Sequence, residues 1–341
     1  MGALQDFIVK NFLILGLLTV ITFGLICPKP GLALVGVKVA GLTLPDVAID
    51  IIFVVSGLAL ESFSDALQYK ALGLGMTLVL LVTPLMAVPI LYLPDLDPRL
   101  NVSLLQGMAL FCVVPTTLSS GVTMITQAKG NVSLAILLTS VTNVLGVFTM
   151  SFSASKVFSA AITVSPWEML AELIQLTLVP LCVGMALRRF VAPLREFAKR
   201  NKKKLGLSQN SCILFVVLLM ISKAQAEISV ASDSDIYLCL SLAAGVHLIY
   251  RIVGYVVATV ARLPPEEWVT LVLMCSQKSL PVCVSVLQAL PPDLRRKSGL
   301  FILPCVMAHA AQLIIDSMLA VRWQVQAQTA EAEYATLPGK P

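Results

Sequence analysis

The sequence predicts an all-α polytopic membrane protein of about ten transmembrane helices, in two inverted five-helix repeats whose fourth and ninth helices are broken and cross. Three observations predict it: a strong apolar excess, ten apolar windows between charged or Pro-rich breaks, and polar interruptions at matching places in the fourth and ninth windows. Of 341 residues, 57% are hydrophobic and 13% charged, with a mean hydropathy of +0.90, whereas a soluble domain carries about a quarter charged residues. That balance excludes an ordinary soluble enzyme. At roughly 20 residues per span, the windows leave little chain for a domain outside the bilayer.

The windows fall near residues 11–27, 46–60, 71–94, 104–128, 131–155, 166–188, 209–226, 236–262, 266–290 and 297–321, where apolar runs outlast anything a soluble helix needs. The first lacks a basic leader and a cleavage site, so it reads as a retained span. The second is short and holds Asp50. In the third, Pro84 and Pro89 read as kinks. Residues 1–160 hold five windows and 161–322 hold five more. Five is odd, so the second half must be inverted relative to the first, the construction of many secondary transporters. The second half includes a basic loop, 188–204, and residues 323–341 read as a disordered polar tail.

An even number of spans puts both termini on one side. That side carries 14 Lys and Arg against 7 on the other, which makes it cytosolic. The net charge of +5 therefore reflects topology and contact with anionic lipid, and nucleic acid is not an expected partner. The eight cysteines fall mainly in apolar runs without a CxxC pair and read as small packing residues. No organelle transit peptide is visible, so a plasma or secretory-pathway membrane is the expected address and a plastid envelope the alternative.

The fourth window runs CVVPTTLSSGVTMITQAKGN, with Pro115, Thr116, Thr117, Ser119, Ser120 and Gly121 at its middle. A lipid-facing helix has no use for that series, because broken backbone at membrane depth survives only against protein or a wet cavity. The ninth runs MCSQKSLPVCVSVLQAL, with Ser276, Gln277, Lys278, Ser279 and Pro281 in the corresponding place. Pro115, Gly121 and Pro281 are the expected helix breakers. Two broken helices meeting at the midplane direct half-helix ends at one point, which suits a carboxylate, a sulfate or a cation. Thr139, Ser140, Thr142 and Asn143 of the fifth window, and His309, Gln312 and Asp316 of the tenth, lie beside this crossing. Thr139, Asn143 and Gln312 join the candidate solute or ion site on that ground.

A buried ammonium needs a partner or water. Lys278 can serve a substrate anion, stand where a coupling cation would sit, or satisfy backbone carbonyls at the break. Arg251 lies inside the eighth window, with Asp50, Glu172 and Asp316 as possible partners. His247 and His309 read as packing residues. Ser279 adjoins Lys278, but helix neighbours point about 100° apart, which argues against a Ser–Lys nucleophile and an intramembrane enzyme. No filter signature for a channel is present.

The motifs SGLALES (Ser56–Ser62), VPTTLSSGV, AKGN (Ala128–Asn131), CSQKSL (Cys275–Leu280) and AHAAQLI (Ala308–Ile314) together resemble the bile acid:sodium symporter family over nearly the whole chain, in its cotransporter 7-like branch with plant relatives. The resemblance implies sodium as a possible coupling ion. Thr139 matches a span-five ligand, Ser119 and Ser120 lie close to the span-four ligands, and Gln277 resembles an amide ligand, whereas Leu273–Ser279 lacks the family's acidic ligand and holds Lys278. The expected function is a secondary carrier of a small organic or inorganic anion by alternating access. The branch also implies an alternative, a carrier-like regulator of cellular calcium homeostasis. The lipid bilayer and a small solute or ion are the expected partners, and the oligomeric state stays open.

Overall fold

The computed structural model describes residues 12–39, 41–59, 68–117, 119–158, 165–229 and 232–335. Among them, seven helices are long and apolar enough to cross a membrane, or eight if the bent pair at the start is one span. The chain is an integral membrane protein.

The bent pair is α1 (Phe12–Ile26) and α2 (Lys29–Val35), meeting at 94°. Pro28 precedes α2 and Pro30 lies in its first turn, where a missing N–H costs nothing. A two-stranded hairpin follows, β1 (Lys38–Val39) with β2 (Leu42–Thr43), so the chain departs from an all-α fold at this one described place. Gly41, at φ +88°, makes its turn possible. Thr43 then donates from N and Oγ1 to Asp46, at 3.0 and 2.6 Å, and opens α3 (Leu44–Ala59). Leu60–Ser62, the end of the SGLALES motif, lie outside the described residues.

Next comes α4 (Tyr69–Leu96), which loosens over Leu78–Val82 and tightens over Thr83–Met86 around Pro84. Asn101 caps α5 (Val102–Val113) by accepting from the Ser103 and Leu104 amides, and the short α6 (Ser119–Gln127) completes the fourth window. Asn131 caps α7 (Val132–Phe158), Ser165 caps α8 (Pro166–Phe190) and Ser232 caps α11 (Asp233–Val260), each side-chain oxygen meeting an orphan first-turn amide. Between them lie α9 (Ala192–Arg200) and α10 (Lys202–Lys223). The ninth window is α12 (Pro265–Ser276) and α13 (Leu280–Ala289), and the chain closes with α14 (Ser298–Ala335).

Two expectations change here. Residues 192–200 of the basic stretch form helix α9 rather than loop, because Ala198, 1% exposed, packs with Val55 and Leu205 beneath the charged face. The last helix continues to Ala335, so residues 323–335 are helical where the polar composition suggests disorder. Ala, Gln and Glu dominate that segment, and all three are good helix formers.

Burial grades the helices. In α12–α13, 89% of the apolar window is enclosed by protein, against 28% for α8, so the broken ninth window is the centre of the molecule and α8 its periphery. Exposed Ile252, Tyr255, Val256 and Val260 on α11 form an outer surface suited to acyl chains. A close backbone approach sits between α3 and α8. A Cβ on Gly184 would lie 2.1 Å from the Val54 carbonyl oxygen, and one on Gly57 would lie 2.2 Å from that of Leu181. Only glycine permits this contact. Gly184→Val should lower the melting temperature of the detergent-solubilised protein by an amount equivalent to about 1–3 kcal/mol of overpacking. Gly206→Ala is the control, because nothing lies within 4 Å of the added carbon; equal melting points for the two variants would show that the crossing tolerates separation.

Candidate functional site

Both breaks have local causes. Val114 is extended, with ψ 153°, the conformation favoured before a proline, and α5 stops ahead of Pro115. Gln277 and Ser279 are extended too, and Ser279 caps α13 by accepting from the Val282 amide at 3.4 Å, with Pro281 in the first turn. The breaks touch directly. The Ser279 amide donates to the Pro115 carbonyl at 2.9 Å.

The breaks create two carbonyl ends and two amide ends. At the first carbonyl end, Lys278 Nζ donates to Val114 O at 2.8 Å and to Thr83 Oγ1 at 2.7 Å. Its ammonium lies 5.5 Å from the centre of the Tyr250 ring, within cation–π range, and Tyr250 donates to the Thr83 carbonyl at 2.8 Å. Lys278 is fully buried. At the second carbonyl end, His247 Nδ1 meets Ser276 O at 3.0 Å. The main chain of Lys278 is held from α14, where Gln312 Oε1 accepts from its N–H at 2.9 Å and Gln312 Nε2 donates to its carbonyl at 2.8 Å.

The amide ends open on a cavity of about 730 Å³ counted to its solvent-open mouth. Thr117 and Ser120 line it at the start of α6, and Ser279 and Pro281 at the start of α13. Thr139, Ser140 and Asn143 of α7 and His309 of α14 add polar wall, as do Ser56, Gln209 and Asn210; Ile52, Phe53, Leu181 and Ile213 add apolar wall. No Lys, Arg, Asp or Glu is among the lining residues. Lys278, Gln277, Ser276, Thr116 and Gln312 are buried without lining the cavity, and the Lys278 ammonium is spent on the helix end rather than offered to a solute. Gly121 packs against Met274 and Gln277. The Ser119 side chain lies outside what the structure describes.

Behind the second break sits a charged cluster. Gln277 Nε2 donates to Asp316 Oδ2 at 2.8 Å, while Arg251 donates to Asp316 Oδ1 and His247 Nε2 lies 2.8 Å from the same oxygen. A carboxylate therefore reaches Gln277 after all, from α14 instead of the ninth window. Asp316 partners Arg251; His247 and His309 are bonded in the site rather than simply packed.

Several buried side-chain oxygens near α6 have no partner: Thr116 Oγ1, Ser120 Oγ, Asn143 Oδ1 and Gln277 Oε1. The Asn143 amide donates to the Thr116 and Thr139 carbonyls, at 3.3 and 2.8 Å, which leaves only its oxygen to offer. An all-oxygen donor set suits a hard cation, so these groups fit sodium. Sequence reasoning missed Thr83, Tyr250, Ser56, Gln209 and Asn210. The adjacent amides of Gln209 and Asn210 inside an apolar window were a usable signal; nothing local marked Tyr250.

A model of the SBF-like CPA transporter family matches residues 11–325. The chain belongs to that family. Its relatives include the probable sodium/metabolite cotransporter BASS4, chloroplastic, of Arabidopsis thaliana, 34% identical over 80% of this chain and 64% of the relative. The protein of the same name from Oryza sativa subsp. japonica is 32% identical over 96% of this chain and 78% of its own length. Sodium/bile acid cotransporter 7 of Danio rerio is 26% identical over 91% and 92%. This chain thus spans a little under two thirds of the Arabidopsis relative. Within the family frame, the motifs are structural parts of one crossing: AKGN ties to α12 through the Asn131 amide and Thr270 Oγ1 at 2.8 Å, and AHAAQLI supplies His309 and Gln312.

The pairing of Lys278 with Thr83 is open to a double-mutant cycle. Thr83→Val and Lys278→Met should show a coupling of about 1.5–3 kcal/mol in unfolding, the range for a hydrogen bond to a charged group. Additive effects would mean that the ammonium does not depend on the hydroxyl.

Proposed function

We propose that the chain is a secondary carrier that moves a small organic anion by alternating access, with sodium as its coupling ion. The observation that carries the reading is the sorting of helix ends at the crossing. Both carbonyl ends are met by protein donors, Lys278 on Val114 and His247 on Ser276, while both amide ends face the shared cavity. Half-helix amide ends favour negative charge, so a carboxylate sits at Thr117, Ser120 and Ser279, and the apolar part of the solute lies against Phe53, Ile52 and Leu181.

His309 adds a donor to this wall. Gln312 is oriented by the Lys278 main chain, so its Nε2, 2.8 Å from His309 Nδ1, donates there, and the approach of Nδ1 to the Lys278 carbonyl is the longer contact at 3.3 Å. That places the His309 proton on Nε2, free for a solute oxygen. Sodium would be held by oxygens of Ser120, Thr139, Asn143 and Gln277, where its charge offsets that of the arriving anion. Two inverted repeats of five spans, 1–160 and 161–322, with α5–α6 and α12–α13 as the crossing pair, supply the bistable frame, and rocking of one set of helices against the other exposes the cavity to alternate sides.

Counterflow in proteoliposomes with a panel of carboxylates, sulfate and phosphate checks the solute. Exchange of a small organic anion, weakened at least severalfold in half-saturation by His309→Phe, is expected; exchange of none of them would sink the carrier reading. The ion is tested by melting temperature in sodium, potassium and choline at equal ionic strength, since a ligand of the folded state raises it. A dose-dependent rise in sodium alone, absent in Asn143→Leu, is expected. Identical curves in the three salts would remove sodium from the mechanism and leave the solute site standing.

A further inference from the structure

His247 sits between two acceptors. Its Nδ1 is 3.0 Å from the Ser276 carbonyl oxygen and its Nε2 is 2.8 Å from Asp316 Oδ1. A carbonyl oxygen only accepts, so Nδ1 carries hydrogen. A neutral imidazole has one N–H, which would leave the Nε2 lone pair facing a carboxylate oxygen at hydrogen-bond distance. The contact therefore requires a second hydrogen, shared between Nε2 and Oδ1. Arg251 donates to Oδ1 and Gln277 to Oδ2, which keeps the carboxylate ionised and puts the hydrogen on His247. The contrast with His309 is direct, because there the Gln312 amide supplies the hydrogen to Nδ1 and the ring stays neutral.

We propose that His247 and Asp316 form a proton-binding site at the second helix break, and that the bound proton holds the break in its present geometry. With the proton, His247 donates at once to the last residue of α12 and to the carboxylate that grips Gln277. When it leaves for water, the neutral ring keeps one N–H and can satisfy Ser276 or Asp316, not both. The break then loses one of its tethers to α11 or α14. Among the described residues, no acid or base on a neighbouring element substitutes. On α11, Arg251 is engaged with Asp316 and Tyr250 is turned to Thr83; on α12, Cys275 faces the Gly75 carbonyl; on α5, Cys112 lies against Tyr250. On α14, His309 faces Lys278 O, the Lys278 ammonium points to Val114 and Thr83, and α6 presents the Met124 thioether to Gln277.

The consequence for transport rests on the carrier reading, but the protonation does not. Arg251, Lys278 and protonated His247 outnumber Asp316 by two charges, and proton loss reduces the excess to one, so proton and anion occupancy support each other. The chain has two histidines, which makes the test direct: imidazole ¹⁵N NMR of the full-length protein labelled at histidine, in detergent or nanodiscs. His247 should show two protonated nitrogens and His309 the neutral Nε2–H pattern, with assignment from His309→Asn. In Asp316→Asn, His247 should revert to a neutral ring protonated at Nδ1, while an unchanged His309 pattern reports that the Gln312 network is intact. A His247 that is neutral with one bare nitrogen in the wild type, beside a normal His309, would overturn the proposal, whatever the transport assays give.

Discussion

Two helices stop inside the apolar mass of this protein, and the backbone groups they release have to be met by protein at the carbonyl ends and at the cavity wall at the amide ends. That requirement governs the rest of the structure. An unmet carbonyl or amide at this depth costs on the order of 1–3 kcal/mol or more, and four helix ends present several each. The Ser279–Pro115 hydrogen bond joins the breaks to each other, Gln312 satisfies both main-chain groups of Lys278, and Lys278 and His247 take the carbonyl ends. Donors come from α11, α14 and the break itself, and Thr83 of α4 completes the set, so the crossing is the reason these helices pack where they do.

The same accounting explains a full positive charge in the interior. Burying an isolated ammonium is among the costliest steps available to a chain, yet Lys278 is fully enclosed. It is tolerable because the end of α5 carries roughly half a negative charge, and because the Tyr250 ring and the Thr83 hydroxyl add attraction from two further sides. Arg251 and Asp316 solve the matching problem behind the second break by pairing with each other.

What the sequence made legible follows from the range of each cause. Pro115 and Pro281 act on their immediate neighbours, and the polar runs beside them are conspicuous in apolar windows, so the two breaks and the polar residues of α7 could be read from one dimension. The partners could not. Lys278 and Thr83 are 195 residues apart, and Arg251 and Asp316 are 65 apart, separations that no periodicity reports. Leu273–Ser279 holds no acid; the carboxylate that reaches Gln277 comes from α14. Two polar segments misled for another reason: polar composition suggested loop for 192–200 and disorder for 323–335, whereas helix propensity and the small buried contact at Ala198 decide otherwise.

Charge placement also constrains any conformational cycle. The cavity wall holds hydroxyls, amides and an imidazole, while the charges of Lys278, Arg251 and Asp316 stand one layer behind it, each committed to a helix end or to its counter-ion. Moving one set of helices against the other cannot easily separate Lys278 from Val114 or Arg251 from Asp316, since either step would strand a charge in low dielectric. The neutral contacts are the cheaper ones to exchange: Ser279 to Pro115, Asn143 to Thr116, and Gln209 to Ile52 and Ser56. These bonds line or adjoin the cavity and join elements from different parts of the chain. In the carrier cycle proposed above, a solute that supplies acceptors and an ion that supplies positive charge would replace them one for one, so that occupancy of a site without formal charges would decide the arrangement of the helices around it.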